Sequence, residues 1–303
     1  MHVLFSTGAL YGAPLAWSMG LARAAGCDGV ELVLDPWMVL FGPRAIARVS
    51  ERVGLSVEVL HPSIFGFRGM NKPPQAFAQL GEWSRALEVG LVVLHPPRIV
   101  GLAENTARFD KGLEALRQAA YPDVRVSLEN VPFFTQADRR NPFVEPEAVA
   151  EFARKRGLSV TLDTTHLASA GLDLLAQYDG VSGLVSHIHL SDYRQPRPWL
   201  DRPELDTYVK HHQLPGTGML PLRQFVRHLR VTAYEGAITL EVSPVALQIW
   251  RPWRMLALLR RSVEYVRSAW DAGGAGPSGE PEVAPFPLRA TLGTTAHGRG
   301  GAQ

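Results

Sequence analysis

Apolar residues along the chain fall into two alternating kinds of run. Stretches of four to six residues, continuously apolar or alternating, are separated by longer stretches in which apolar positions return every third or fourth residue. The short runs read as buried strands and the long ones as amphipathic helices. Their steady alternation is the pattern of βα units feeding a parallel sheet. Eight strand-like runs occur: Val3–Ser6 ("VLFS"), Gly29–Leu32 ("GVEL"), Ser56–His61 ("SVEVLH"), Leu91–His95 ("LVVLH"), Arg125–Glu129 ("RVSLE"), Ser159–Asp163 ("SVTLD"), Val185–His189 ("VSHIH") and Ala237–Glu241 ("AITLE"). Helical spacing covers Leu15–Ala25, Ala45–Val53, Gln75–Val89, Asn105–Ala119, Glu145–Arg156, Leu220–Leu229 and Leu247–Ala269, with a short helix near Leu172–Gln177. Pro14, Pro43, Pro74 and Pro146 stand near helix starts, where the missing N–H costs nothing.

Eight such units make an α/β fold of the single (β/α)8 TIM-barrel kind the expectation for residues 1–270. From Asp271 the chain turns to Gly, Pro and small polar residues ("GGAGPSGEPEVAP", "HGRGGAQ"), so residues 271–303 are expected to form a disordered tail. His297 within it is not expected to serve a site.

Composition narrows the setting. Hydrophobic residues make up 46% and charged residues 20% of the 303, which is ordinary for a globular protein. A net charge of +2 gives no reason to expect an acidic partner. Cys27 is the one cysteine, which excludes an internal disulfide and any thiolate zinc motif. Metal ligands would therefore be His, Asp or Glu, and a reducing, cytoplasmic setting is expected. No apolar run approaches the ~20 residues of a membrane span. The start, "MHVLFSTGALYGAP", lacks a basic segment followed by a sustained apolar one and reads as a first strand.

Chemistry concentrates at the ends of the runs. The third to eighth close on His61, His95, Glu129, Asp163, His189 and Glu241, each a metal-ligand type directly after an apolar strand. In a (β/α)8 barrel those ends surround one shared opening. A single His there is commonly structural, and a single Glu commonly solvated. Six consecutive cases need six accidents under that reading and one cause under a metal cluster. Mixed His and carboxylate donors suit Zn, Mn, Mg or Fe.

The segments "GVEL", "LEN", "LDTTH", "HIHLSDY", "HHQLPGTGMLPL" and "ITLEVSP", in this order, resemble the xylose isomerase-like TIM-barrel superfamily. That group holds sugar and sugar-phosphate isomerases and epimerases together with endonuclease IV, of AP endonuclease family 2. The resemblance covers about Val3 to Ala269. It implies one or two divalent ions (Mn, Zn, Mg or Co), with Glu129, Asp163, His189 and Glu241 as ligands and Glu129 and Glu241 also as acid and base. His166 matches a substrate-contacting His, and Arg194 follows "HLSD" where such relatives place a substrate-contacting Arg. In the endonuclease branch His61 and His95 would join Glu129 around a second metal, and His166 with His212 would serve a third. There the endonuclease pattern has an Asp two residues before the His, and this chain has Lys210.

The resemblance thus implies a metal-dependent isomerase or epimerase acting on a small sugar or sugar phosphate, as a monomer or homo-oligomer and away from membranes. The alternative is a phosphodiesterase acting on abasic DNA, with a related dehydratase as a minor one. "HPSIFGF", "DTTH" and "HLSD" depart from the endonuclease wording, and "DGVELVLDPW" is closer to the isomerase branch. A binding protein on a retained barrel would be expected to have lost part of the ligand set. Among smaller features, "GTG" at Gly216–Gly218 reads as a turn whose N–H groups could meet a sugar phosphate. Trp37, Phe65, Phe133, Phe134 and Trp199 could floor a pocket or pack loops. His187 shares a strand face with His189, one layer deeper, and reads as structural.

Overall fold

The computed structural model describes residues 1–63, 72–120, 124–135, 138, 140–195 and 202–274. Eight parallel strands close on themselves in chain order. They are β1 (Val3–Ser6), β2 (Gly29–Val33), β3 (Ser56–His61), β4 (Leu91–Leu94), β5 (Arg125–Glu129), β6 (Ser159–Asp163), β7 (Val185–Leu190) and β8 (Ala237–Leu240). Phe5 of β1 pairs with Val30 of β2 on one side and Leu240 of β8 on the other, which seals the barrel. The (β/α)8 expectation holds.

Alternation along the strands decides what faces inward. Leu4, Val59 and Val93 form a small cluster of their own, whereas their neighbours Phe5, Leu60 and Leu94 belong to the main core. The main core lies between barrel and helices, where Phe5, Leu32, Leu60 and Ile238 meet Met19, Leu80, Leu116, Phe225 and Leu259. Burial of each such side chain contributes roughly 1.5–3 kcal/mol. Leu4, Val59 and Val93 therefore point into the barrel, and two residues further on the same face carries Ser6, His61 and His95. Across the barrel the inward layer turns polar: Thr161 Oγ1 donates to Ser127 Oγ at 2.7 Å, and both are buried.

The outer helices are α1 (Leu15–Ala25), α2 (Pro36–Phe41), α3 (Pro43–Val53), α4 (Gln75–Leu87), α5 (Leu102–Ala119), α6 (Pro146–Arg154), α7 (Thr164–Ser169), α8 (Leu174–Val181), α9 (Asp206–Val209), α10 (Leu222–Val231) and α11 (Pro252–Gly274). Three short ones, α2, α7 and α9, lie in the loops above the barrel and are too brief for apolar spacing to show. Caps make two of them instead: Asp35 Oδ1 accepts from Met38 N at 2.8 Å at the start of α2, and Asp163 caps α7. β4 and β8 stop one residue before His95 and Glu241, so these two side chains start loops rather than end strands. Phe65, Trp199, His297 and the segment after Gly274 lie outside the described residues. No described helix is long and apolar enough to cross a membrane.

Candidate metal centre at the barrel mouth

Glu129 ends β5, Asp163 ends β6, His189 lies near the end of β7 and Glu241 follows β8. One donor atom from each falls within 4.8 Å of the others. His189 Nδ1 is 3.2 Å from Glu129 Oε1 and 2.8 Å from Glu241 Oε2. Yet Asp163 Oδ2, His189 Nδ1 and Glu241 Oε2 are buried atoms that make no hydrogen bond. An unmet polar atom in an interior is costly, and three converging on one point need a common partner. Two donors about 2.1 Å from one tetrahedral ion stand roughly 3.4 Å apart, close to the spacings here. One imidazole and three carboxylates suit a hard or borderline divalent ion. The residues present fit such an ion.

Asp163 shows why a strand ends in a carboxylate here. Its Oδ1 accepts from Thr165 N at 2.7 Å, His166 N at 2.8 Å and Thr165 Oγ1 at 2.9 Å, which caps α7. Oδ2 is left over, facing the cluster.

Glu129 has two faces. Oε1 lies toward His189, while Oε2 is 3.6 Å from His61 Nε2 and 3.2 Å from His95 Nε2. His61 Nδ1 lies 2.8 Å from the carbonyl of Pro62, which orients its ring. His61, His95 and Glu129 thus make a second group able to hold a cation, sharing Glu129 with the first.

A third group is His166, His211 and His212. His166 Nδ1 contacts the Asn130 carbonyl at 2.7 Å, and His212 Nδ1 contacts the Glu241 carbonyl at 3.2 Å, which leaves Nε2 of each as the available donor. His211, which the sequence did not single out, is buried with Nδ1 unpartnered, and Phe134 packs on its ring at 4.9 Å. Lys210, standing where the endonuclease pattern has an Asp, pairs with Asp206 at 3.0 Å. The imidazole next to it, His211, is the one gathered with His166 and His212.

The carboxylates and rings in the pocket shift one another's ionisation. Burial opposes ionisation of Glu129 and Glu241, but His189 outweighs it and holds Glu129 well below the usual carboxylate range and Glu241 at about 2. For His189 burial favours the neutral ring, and Glu31, Glu241 and Glu129 together override it and raise its pKa well above the ordinary value. For His211 burial, with His212 and His166 adding to it, lowers the pKa to about 2, so that ring is neutral and its nitrogen lone pair free.

Glu31 of β2 is the other member the sequence did not single out. It is fully buried, and its Oε2 lies 2.8 Å from His189 Nε2 and 3.1 Å from His187 Nε2. A lone acid at an inward position of an otherwise apolar strand was the available signal. His187 is buried one layer below His189, as its position in the strand implied.

Other expected contacts lie elsewhere. Arg194 is exposed; its Nε donates to the Val209 carbonyl at 3.2 Å, and it pairs with no carboxylate among the described residues. Trp37 is exposed and stacks on Phe41 rather than over the pocket. The Gly216–Gly218 turn is not free for a phosphate, because Asp192 takes the N–H groups of Gly216, Gly218 and Leu220 at 2.8–3.0 Å. A Cβ on Gly218 would come within 2.3 Å of Asp192 Oδ1, so this close wrap requires glycine. The same Asp192 bridges to Gln213, which anchors the strand of loop carrying His211 and His212.

Comparison with known proteins bears on the fold and the family. No curated protein matches the chain. Among solved structures, a D-tagatose 3-epimerase-like protein superposes with a TM-score of 0.66 at 16% identity, covering 91% of this chain and 100% of that one. The IOLI protein with a bound zinc atom gives 0.62 at 16%, covering 90% and 98%. An AP endonuclease of family 2 from Brucella melitensis gives 0.60 at 17%, covering 83% and 98%. Identities this low carry the fold alone. A family model described as xylose isomerase-like TIM barrel matches residues 19–268. With most of the chain so matched and the closed eight-stranded barrel in place, the chain belongs to the xylose isomerase-like TIM barrel family.

Proposed function

We propose that the protein is a divalent-metal-dependent isomerase or epimerase of a sugar or sugar phosphate, with Glu129 and Glu241 as its acid–base pair. The observation carrying this reading is the set of buried donors without hydrogen bonds, Asp163 Oδ2, His189 Nδ1 and Glu241 Oε2, gathered beside Glu129. A divalent ion held by these four would polarise a ketose at two neighbouring oxygens and acidify the C–H next to its carbonyl.

The chain's own groups perform the transfer. Glu129 and Glu241 come from strand positions three apart around the mouth, so a substrate carbon held between them has a carboxyl group on each side. One takes the proton and the other returns one to the opposite face. Glu241 is a quarter exposed and Glu129 is buried, which gives the two faces different access to water. His166, tied to the Asn130 carbonyl through Nδ1, presents Nε2 to a sugar hydroxyl. Incubation of the metal-loaded protein with a panel of ketoses and ketose phosphates in D₂O is expected to place deuterium beside the carbonyl. Glu241→Gln is expected to abolish the exchange. No exchange across the panel would sink the reading.

A second reading, cleavage of abasic DNA, draws support from the two further groups around His61 and His211, since adjacent cations suit phosphodiester hydrolysis. Nicking of an abasic-site duplex without sugar exchange would select it.

A further inference from the structure

Glu31 is a fully buried acid in the barrel interior. β2 is buried throughout, and the other four residues of Gly29–Val33 are apolar. An ionised carboxylate in such a place costs several kcal/mol unless partners neutralise it. Its partners come from across the barrel. Oε2 lies 2.8 Å from His189 Nε2 and 3.1 Å from His187 Nε2, and Oε1 lies 3.5 Å from Ser6 Oγ. Thr239 Oγ1 contacts the same His187 nitrogen at 3.0 Å.

The carboxylate only accepts, so the short contact puts the proton on His189 Nε2. The lone pair of the neutral ring is then on Nδ1, the nitrogen turned to Glu129 and Glu241 at 3.2 and 2.8 Å. The opposite tautomer would aim a proton at the donor cluster and leave two acceptors facing each other at Glu31. Glu31, His187 and His189 lie close enough together to hold a cation themselves. Their 2.8 and 3.1 Å contacts are instead of hydrogen-bond length, which ring protons fill.

We propose that Glu31 is a positioning residue: it fixes His189 as the Nε2–H tautomer and aims Nδ1 at the cation, while His187 holds the Glu31 carboxylate from one layer below. This rests on the reading that Glu129, Asp163, His189 and Glu241 hold a divalent ion. The partner of a ligating histidine commonly contributes 10–100-fold in metal affinity. Glu31→Gln keeps the shape but offers one acceptor oxygen and two donors where two ring N–H groups need acceptors.

Zinc affinity by chelator competition, together with ¹⁵N–¹H spectra of the histidines, provides the test. Wild type is expected to show His189 protonated at Nε2 and unprotonated at Nδ1 in the zinc-loaded protein. Glu31→Gln is expected to weaken zinc by about 10–100-fold. Thr161→Val, which removes the buried inward hydrogen bond to Ser127 and has no side-chain bond to Glu31, His187 or His189, should leave affinity near wild type, so a merely structural effect separates from a positioning one. Should Glu31→Gln fail to fold, Glu31→Asp, which keeps the charge and shortens the reach, must show weakened zinc. Unchanged affinity in the folded Glu31 variant, or a proton on His189 Nδ1 in the zinc-loaded wild type, overturns the proposal. If wild type takes up no zinc, the donor-set reading fails by itself. The metal-free spectrum then decides for Glu31, a hydrogen bond from His189 Nε2–H supporting its hold and its absence refuting it.

Discussion

Asp163 combines two roles that two substitutions separate. Its Oδ1 accepts three hydrogen bonds from Thr165 and His166, while Oδ2 is buried without any. Asp163→Asn keeps an oxygen for the cap and puts an amide NH₂, which cannot ligate, where Oδ2 was. Asp163→Ala removes both. Loss of an N-cap costs about 1 kcal/mol, and buried N–H groups left unpaired bring the total to about 2 kcal/mol for the alanine variant. For a domain of this size that is about 4–8 °C in Tm. The asparagine variant, which keeps the cap oxygen, should melt within a few degrees of wild type when metal-free. A divalent ion at 100 times its Kd adds about 2.7 kcal/mol to wild type, or about 5–10 °C. Both variants should lose that increment. Differential scanning fluorimetry of the three proteins in EDTA and then in Zn²⁺ or Mn²⁺ reads all six melting temperatures. An asparagine variant that keeps the metal-induced rise, or that falls as far as alanine in EDTA, refutes the division of labour between the two oxygens.

Three further outcomes are expected. His95→Ala, at a half-exposed position, should leave stability near wild type but remove one equivalent of bound metal, measured by elemental analysis after loading; an unchanged count would show that His61, His95 and Glu129 hold none. The Glu241 carboxyl is held at about 2 against an ordinary 4.5, so it stabilises the metal-free fold above pH 4.5 and that contribution is lost as pH falls toward 2. Melting in EDTA across that window should decline less steeply in Glu241→Gln, and equal slopes would speak against the assignment. Gly218→Ala should lower Tm through the clash with Asp192 and Tyr193, at about 1–3 kcal/mol, and an unchanged Tm would mean the wrap is not tight.

The barrel was legible because its strands are nearly continuous apolar runs, and the cluster at its mouth because His, Asp or Glu stands at or just after the end of six of them. Residues whose role comes from the far side of the barrel were not. Glu31 sits inside "GVEL", and nothing along β2 says that it meets His189 and His187, more than a hundred residues away. His211 lay hidden beside His212, and only the fold shows both rings gathered with His166. The opposite failure befell the Gly216–Gly218 turn. Its N–H groups looked available for phosphate, but Asp192, distant in sequence, already uses them. The short helices α2 and α7 escaped periodicity because they are set by capping aspartates rather than by an apolar face.

Calorimetric titration of the metal-stripped chain with Zn²⁺ or Mn²⁺ tests most directly whether the orphaned donors at the barrel mouth hold a cation. At least one tight site is expected, lost in Asp163→Asn while the fold persists. No binding heat, together with no metal retained after loading, would contradict it.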